Sequence, residues 1–227
     1  LQHTSPDKPK VDLRRIHHSQ TTLGLVLAFY VSFALSARKT ALMLYMVFKI
    51  EISYQTVINY AEAAAYYCHA FNQKHKGPID DTQAGDETYI KILGKHNFVF
   101  LFMSPHKKNI TSYHVAGSRS ELPATIAMLE AKRTAQENQQ ITYITDGNPS
   151  YLAGLHFINS NCNSLQSQHH KVIGLKNLDS VSEKYRPYKQ IIERLNRTFK
   201  YHVRPSCGFK SFNGAVALTT LFVTYHN

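Results

Sequence analysis

Apolar residues at helical spacing dominate the first third of the chain. Residues 1–20 are polar, contain two prolines and predict a loose arm. Over residues 21–70 the apolar positions recur with the period of an amphipathic helix. Thr21 or Thr22 can cap a first helix. The segment therefore predicts a small all-α unit.

Within this unit, two helices are separated by a short break at residues 49–52. Ser36 is placed to cap the first of them, and Ser53 to cap the second, which runs through Ala65. Two helices joined by a tight turn are typical of a helix-turn-helix DNA-binding domain, although this turn lacks the usual glycine. The residues predicted to face a DNA groove are Tyr54, Gln55, Thr56 and Asn59.

The pattern changes after residue 85. Residues 71–85 are polar, contain glycine and proline, and predict a linker. Alternating apolar residues then predict two strands joined by Gly94-Lys95-His96 as a hairpin. The remaining predicted elements are a strand at 110–115, a helix at 121–136, strands at 141–145 and 171–174, and a helix at 187–202. Strands interleaved with helices indicate a mixed α/β sheet over residues 86–227.

Composition narrows the class of partner. The 227 residues carry 26 Lys and Arg against 15 Asp and Glu, a formal net charge of +11. Such an excess favours a polyanionic partner such as DNA. The three cysteines are scattered, which excludes a disulfide framework and fits a reducing cytoplasm. The uncharged run at residues 23–35 is shorter than the ~20 residues of a membrane span.

Three acidic residues are candidates for divalent-metal chemistry. Asp86 begins a predicted strand, Asp146 follows another, and Glu193 lies in the last predicted helix. Converging carboxylates bind hard cations such as Mg²⁺, and two such ions catalyse phosphoryl transfer. Local pattern leaves alternatives open: Glu87 in place of Asp86, an ordinary Asp-Gly turn at Asp146, and an i,i+4 ion pair between Glu193 and Arg197.

Three segments resemble the DDE transposases of bacterial insertion sequences. They are GDETYIKILGK from Gly85, ITDGNPSYLAG from Ile144 and a longer stretch from Tyr185 to Val216. The similarity is to the insertion-sequence six type and covers residues 23–227. It implies a ribonuclease H-like five-stranded mixed sheet with flanking helices, preceded by the helix-turn-helix domain.

The resemblance also implies a function. Asp86, rather than Glu87, is the first metal ligand, Asp146 the second and Glu193 the third, with two Mg²⁺ or Mn²⁺ ions. The implied enzyme binds terminal inverted repeats, cleaves DNA, and joins the freed 3′-hydroxyl to target DNA as a homo-oligomer in the cytoplasm, associated with the nucleoid. Basic residues near these ligands are expected to contact DNA: Lys91, Lys95, Lys189, Arg194, Arg197 and Lys200.

The chain departs from this family in several places. The 46 residues between Asp146 and Glu193 form a longer interval than usual, which predicts an inserted loop at residues 160–168. His96-Asn97 replaces a usual aromatic, Ser104 stands where an acid often ends the second strand, and a basic tail is missing. These departures leave two alternatives: a catalytically inactive remnant that binds DNA, and a ribonuclease H-like nuclease that hydrolyses without joining.

Overall fold

A five-stranded mixed sheet forms the centre of the molecule. The computed structural model describes residues 4–161, 166–174 and 179–227. The strands are β1 (Thr82–Ile92), β2 (Lys95–Ser104), β3 (Asn109–Ala116), β4 (Thr142–Thr145) and β5 (Gln168–Lys171). Their order is β3-β2-β1-β4-β5, with β1, β2 and β3 antiparallel and β4 parallel to both β1 and β5. The predicted ribonuclease H-like mixed sheet is confirmed.

Seven α-helices surround or precede the sheet in the described residues. They are α1 (Gln20–Leu27), α2 (Ala37–Phe48), α3 (Tyr54–Lys74), α4 (Glu121–Lys132), α5 (Pro149–Asn161), α6 (Ser180–Val203) and α7 (Phe212–His226). A π-helical turn, Ala28–Ser32, continues α1. No helix in these ranges is both long enough and apolar enough to cross a bilayer.

Each face of the sheet buries its own core. On one face, Ile90 and Leu101 pack among apolar residues that include Ile192 of α6 and Phe222 of α7. On the other face, Phe102 belongs to a cluster formed with α4 and α5. Alternate residues of a strand point to opposite faces, so neighbouring positions of β1 are directed towards different helices. This alternation sets the surroundings of the two adjacent acids in β1.

The N-terminal helices are packed against α7, one of the helices that cover the sheet. Ala61, Ala64 and Ala65 of α3 form a cluster with Ala217 and Leu221 of α7. Small side chains allow the two helix backbones to approach closely, and burial of their apolar surface stabilises the contact. The helical unit and the sheet therefore share a core along α3.

Two of the three predicted helix caps are confirmed. The hydroxyl oxygens of Ser36 and Ser53 accept hydrogen bonds from the backbone N–H groups of Lys39 and Thr56, as predicted. The prediction for the first helix was wrong, because Ser19 rather than Thr21 or Thr22 caps it. In the turn after α2, which lacks glycine, Lys49 takes the left-handed conformation with φ of 56°.

Several element boundaries differ from the sequence prediction. α6 begins at Ser180 instead of residue 187, because the Asp179 carboxylate caps it and Pro187 is accommodated inside the helix. The fifth strand lies at Gln168–Lys171, three residues earlier than expected. Within the predicted linker, residues 71–74 are helical and residues 82–85 form strand. Residues 162–165 of the predicted inserted loop lie outside the described residues.

One edge of β1 is only partly covered. β1 pairs with β4 over Thr82 to Ala84 alone, whereas its pairing with β2 runs from Ala84 to Ile92. At the far end, the backbone of Phe209 exchanges hydrogen bonds of 2.8 and 2.9 Å with Lys91 and Leu93. Between these two contacts, the β1 edge lies beside α6.

Candidate active site

The fold brings the three predicted acids to one concavity. Asp86 lies in the middle of β1 rather than at its start, because β1 already pairs with β4 from Thr82. Asp146 is the first residue after β4, and Glu193 lies in α6. All three line a concavity of about 560 Å³ beside the carboxyl end of β4. This is where a parallel strand ends and its neighbour continues.

Asp86 is held by two residues of α6. Its Oδ1 is 3.1 Å from Nζ of Lys189, and its Oδ2 accepts a hydrogen bond of 3.0 Å from the Asn196 side chain. Burial raises the pKa of Asp86 above its usual range, although the Lys189 ammonium opposes that shift. The site therefore places a carboxylate where it is costly to ionise without a cation nearby.

Glu87 points to the opposite face of β1 and is almost fully buried. Its two carboxylate oxygens accept hydrogen bonds from the Asn148 side chain, at 2.9 Å, and the Tyr151 hydroxyl, at 2.6 Å. Nη1 of Arg119 is 3.8 Å from Oε1. Burial, together with this carboxylate, raises the pKa of Tyr151 well above its usual value. Glu87 thus connects β1 to the first turn of α5.

Asp146 is oriented by the turn that follows it. Its Oδ1 accepts a hydrogen bond of 2.9 Å from the backbone N–H of Asn148, whose own side chain accepts one from Ser150 at 3.1 Å. These bonds close a turn, so the turn considered for Asp146 is present, and they lead into the first residues of α5. Behind it, Thr145 bonds His169 at 2.8 Å, and burial lowers the pKa of His169 to about 4.

The arrangement of oxygens fits a divalent cation. One carboxylate oxygen from each of Asp86, Glu87 and Asp146 lies within 4.8 Å of the others. Carboxylates are the ligands that Mg²⁺ and Mn²⁺ prefer. Glu193 is half-buried and lines the same concavity without belonging to this group of three. In the described residues it forms no ion pair with Arg197, so that alternative for Glu193 is not observed.

The basic residues expected to contact DNA fall into three positions. Arg194, Arg197 and Lys200 are exposed along α6. Lys91 and Lys95 are exposed at the hairpin end of the sheet, away from the first ligand rather than near it.

Lys189 differs from the other predicted contacts, because it is only 4% exposed and its ammonium is directed at Asp86. A contact to the DNA backbone needs a solvent-facing side chain, and this one points into the acid cluster. The helical period explains the difference, since Lys189 lies on the face of α6 that packs against β1.

The four predicted groove-facing residues all lie in the first two turns of α3. Tyr54 and Gln55 are exposed, whereas Thr56 and Asn59 are half-buried. The Gln55 amide donates a hydrogen bond of 3.0 Å to Asn59, and the Arg38 guanidinium lies 5.1 Å from the centre of the Tyr54 ring. The helical pattern also predicts that Val57, Ile58 and Ala61 pack inward; Val57 and Ala61 are buried, whereas Ile58 is half-buried.

Sequence reasoning did not identify several residues around the acids. Asn196 could have been found, because it lies three positions after Glu193 on the same helix. Arg119 precedes α4 and lines the concavity, yet nothing in its local sequence marks it. Its place depends on the Ser150 hydroxyl, which donates a hydrogen bond of 2.8 Å to the Arg119 carbonyl. Only the tertiary fold brings this loop to the site.

One comparison with known proteins gives the class of domain. A family profile described as a DDE domain matches residues 82–226. No curated protein sequence matches at a significant level. Among solved structures, the HTLV-2 integrase catalytic core domain, in complex with magnesium and in a trimeric form, has 14% identity and a TM-score of 0.42. The match covers 62% of this chain and 81% of that one.

Two larger assemblies also show similarity. A chain of the simian T-cell lymphotropic virus intasome has 19% identity and a TM-score of 0.40, over 63% of this chain and 49% of that one. A chain of the Mos1 strand transfer complex has 11% identity and a TM-score of 0.33, over 91% of this chain and 82% of that one.

Proposed function

The chain belongs to the DDE transposase domain family, whose profile it matches over residues 82–226, and we propose that it cuts and joins DNA at the ends of a mobile element. The observation that carries this proposal is the shared concavity of Asp86, Asp146 and Glu193. The proposed substrates are the terminal inverted repeats and the target DNA. The proposed site of action is the cytoplasm, on the DNA of the nucleoid.

The proposed role of the carboxylates is to hold the metal ions that catalyse strand transfer. Two Mg²⁺ ions, or Mn²⁺, would activate the attacking oxygen and stabilise the leaving oxygen of the phosphodiester. Asp86, Asp146 and Glu193 are the proposed ligands. Glu87 is the proposed positioning residue, because it holds Asn148 and Tyr151 and thereby the turn that carries Asp146. Rigid support of ligands in this way governs the precision of a metal site.

Exposed cations around the concavity are proposed to hold the DNA backbone. The Arg119 side chain, 64% exposed, lines the concavity from the α4 side. Arg194, Arg197 and Lys200 approach from α6, on the opposite side. Guanidinium groups bind phosphates through paired hydrogen bonds. The first turns of α3 are proposed to read base edges with Tyr54, Gln55, Thr56 and Asn59.

The proposal is tested by strand cleavage and joining on a labelled duplex that carries the terminal inverted repeat flanking the coding sequence. Wild type is compared with Glu193→Gln in Mg²⁺, in Mn²⁺ and in EDTA. We expect cleavage and joining with either metal, none in EDTA, and a loss of roughly 100-fold or more in the variant with DNA binding unchanged. The matched control is Glu183→Gln, which removes an exposed glutamate of the same helix.

The outcomes separate the alternative functions. Hydrolysis without joining would identify a nuclease instead of a transposase. Binding to the repeat without cleavage in any metal would identify a DNA-binding remnant. A Glu193→Gln protein as active as wild type would exclude Glu193 as a ligand.

A further inference from the structure

A trough runs from the acid cluster along the seam between β1 and α6. Two adjoining concavities form it, of about 270 Å³ beside Asp86 and Glu193 and about 330 Å³ towards Gly208. Lys200 lines both concavities, so they are adjacent. The trough exists because β4 ends after its short pairing with β1 and leaves the β1 edge beside α6.

The lining of the trough changes with distance from the acids. Beside Asp86 it carries Thr88, Asn196 and Arg197. At the far end it carries three basic side chains, Lys91, Lys200 and Arg204, with no acidic residue among the described ones that line it. This end therefore attracts a chain of phosphates.

One aromatic ring lies among these cations. Tyr89 is 55% exposed. Nζ of Lys200 lies 4.4 Å from the centre of its ring, and the His96 ring centre lies 5.3 Å away. Because a cation already orients this large exposed ring, little conformational entropy is lost when a flat ligand binds to it. Exposed rings within a positive groove are the usual platform for nucleobases of single strands.

We propose that the trough binds one DNA strand of the element end, with an unpaired nucleobase stacked on Tyr89 and the adjacent phosphates on Lys91, Lys200 and Arg204. The inference rests on the proposed function and adds the form of the substrate, an end whose strands are separated near the cut. A duplex keeps its base faces stacked on each other, so the Tyr89 ring can contact a base only after the pair is opened.

The position of the stacked base follows from the strand geometry. Tyr89 is three residues beyond Asp86, or about 10 Å along β1. With the scissile phosphate at the carboxylates, this is about three nucleotide steps at the spacing of B-DNA and fewer in an extended strand. The base on Tyr89 should therefore be the second or third from the cleaved bond.

The test uses 2-aminopurine, whose fluorescence is quenched when it stacks. The probe is placed singly at each of the first five positions on either side of the scissile bond in the inverted-repeat duplex, and binding is measured in EDTA by fluorescence and anisotropy. We expect wild type to quench the probe at the second or third position. Tyr89→Phe should preserve that quenching, and Tyr89→Ala should abolish it and weaken binding about five-fold or more.

The matched control is Tyr201→Ala, which removes an exposed tyrosine that lines a different concavity with Arg194 and Arg197. Three results would overturn the inference. They are loss of quenching in Tyr201→Ala rather than Tyr89→Ala, loss of quenching in Tyr89→Phe, and no quenching at any position in wild type. Cleavage with Mg²⁺ is measured in parallel. If wild type quenches the probe but does not cleave, only the catalytic proposal is refuted. If wild type cleaves and Tyr89→Ala quenches and binds as wild type does, only the inference about Tyr89 is refuted.

Discussion

At the scale of single residues, the most unusual feature of the site is the Lys189 ammonium, which is directed into a cluster of carboxylates. It neutralises Asp86 at 3.1 Å and is itself only 4% exposed. A cation in this position stabilises the metal-free protein, because Asp86, Glu87 and Asp146 would otherwise repel one another. The same charge opposes the arrival of a divalent ion.

We predict that Lys189→Met increases the affinity for divalent metal. Methionine keeps most of the side-chain volume and removes the charge that competes for Asp86, so Mn²⁺ should bind roughly ten-fold or more tightly in calorimetry. Melting in EDTA should occur at a lower temperature than in wild type and be restored by metal. Lys184→Met, an exposed lysine of the same helix, serves as the control. Equal metal affinity in wild type and both variants would contradict the prediction.

Gly85, directly before Asp86, has a packing role. A Cβ added there would overlap the ring of Phe102, its cross-strand partner in β2. Since Phe102 is fully buried, the ring has little room to move. We predict that Gly85→Ala lowers the free energy of unfolding by about 1–3 kcal/mol, measured by urea denaturation. Gly24→Ala lies within α1, where an added Cβ meets no neighbour, and should instead raise the free energy of unfolding by up to about 1 kcal/mol.

The residue pattern alone could not select the acids. An ordinary turn was an equal explanation for Asp146 and an ion pair for Glu193, and only the resemblance to a family singled them out. The pattern also cannot choose between Asp86 and Glu87, because adjacent strand positions differ only in which face they meet. The choice depends on what packs on each face, and that is decided by α5 and α6, which lie far away in sequence.

At the scale of elements, the sequence predicted the features that depend on neighbouring residues and missed those that depend on distant ones. Ser36 and Ser53 were identified because a cap is a contact over three residues. The start of α6 was missed because proline at residue 187 resembles a helix start, whereas the Asp179 cap lies eight residues earlier. β5 was misplaced because its four residues, QHHK, carry no apolar alternation and are strand only through pairing with β4.

The junction between α3 and β1 depends on a buried lysine. The Lys76 ammonium bonds both the Glu130 carbonyl and its carboxylate, and Arg133 pairs with the same carboxylate. Burial lowers the pKa of Lys76 to about 8, although Glu130 opposes the shift. Between pH 8 and 10.5, the unfolded chain holds a proton that the folded chain has lost. Stability from this group therefore rises with pH across that window.

We predict that Lys76→Met removes this rise. The difference in unfolding free energy between wild type and variant should change by an amount on the order of 3 kcal/mol between pH 7.5 and pH 10.5, with wild type gaining relative to the variant. Chemical denaturation at several pH values measures it. Lys74→Met, which alters the last residue of α3, controls for general lysine titration. Parallel pH profiles for wild type and Lys76→Met would show that Lys76 keeps its usual pKa.

At the scale of the whole molecule, α2 presents an apolar surface that nothing in the described chain covers. Leu42, Met46 and Val47 are 56%, 62% and 60% exposed. The molecule has a net charge of +11, so two copies repel and their association needs burial of apolar surface to offset that repulsion. We propose a second copy as the occupant of this face, in a homo-oligomer that would act on paired DNA ends.

We predict that Leu42→Gln combined with Met46→Gln shifts this assembly to monomer. Sedimentation with inverted-repeat DNA should show wild type as a dimer or larger and the double variant as one copy per DNA end. Leu152→Gln, an exposed leucine of α5, leaves α2 intact and should sediment as wild type. A monomeric wild type, or a double variant that still assembles, would refute this use of the face.

Whole-molecule organisation was only partly predictable. The order of strands and helices, together with three motifs, was sufficient for the mixed sheet. The contact of α3 with α7 was not foreseen, because it joins residues 61–65 to residues 217–221 through alanines that carry no recognition signal. Through this contact, the predicted DNA-binding domain and the predicted catalytic domain share a hydrophobic core.

The length of α3 matters as well as its contact with α7. The helix has 21 residues and extends about 30 Å without the ability to stretch. Its first turns carry the proposed base-reading residues, while alanines further along are fixed to the helix that covers the sheet. A rod of this length corresponds to about nine base pairs. In the proposed function, this rigid helix would fix the distance between the bases that α3 reads and the bond that is cut.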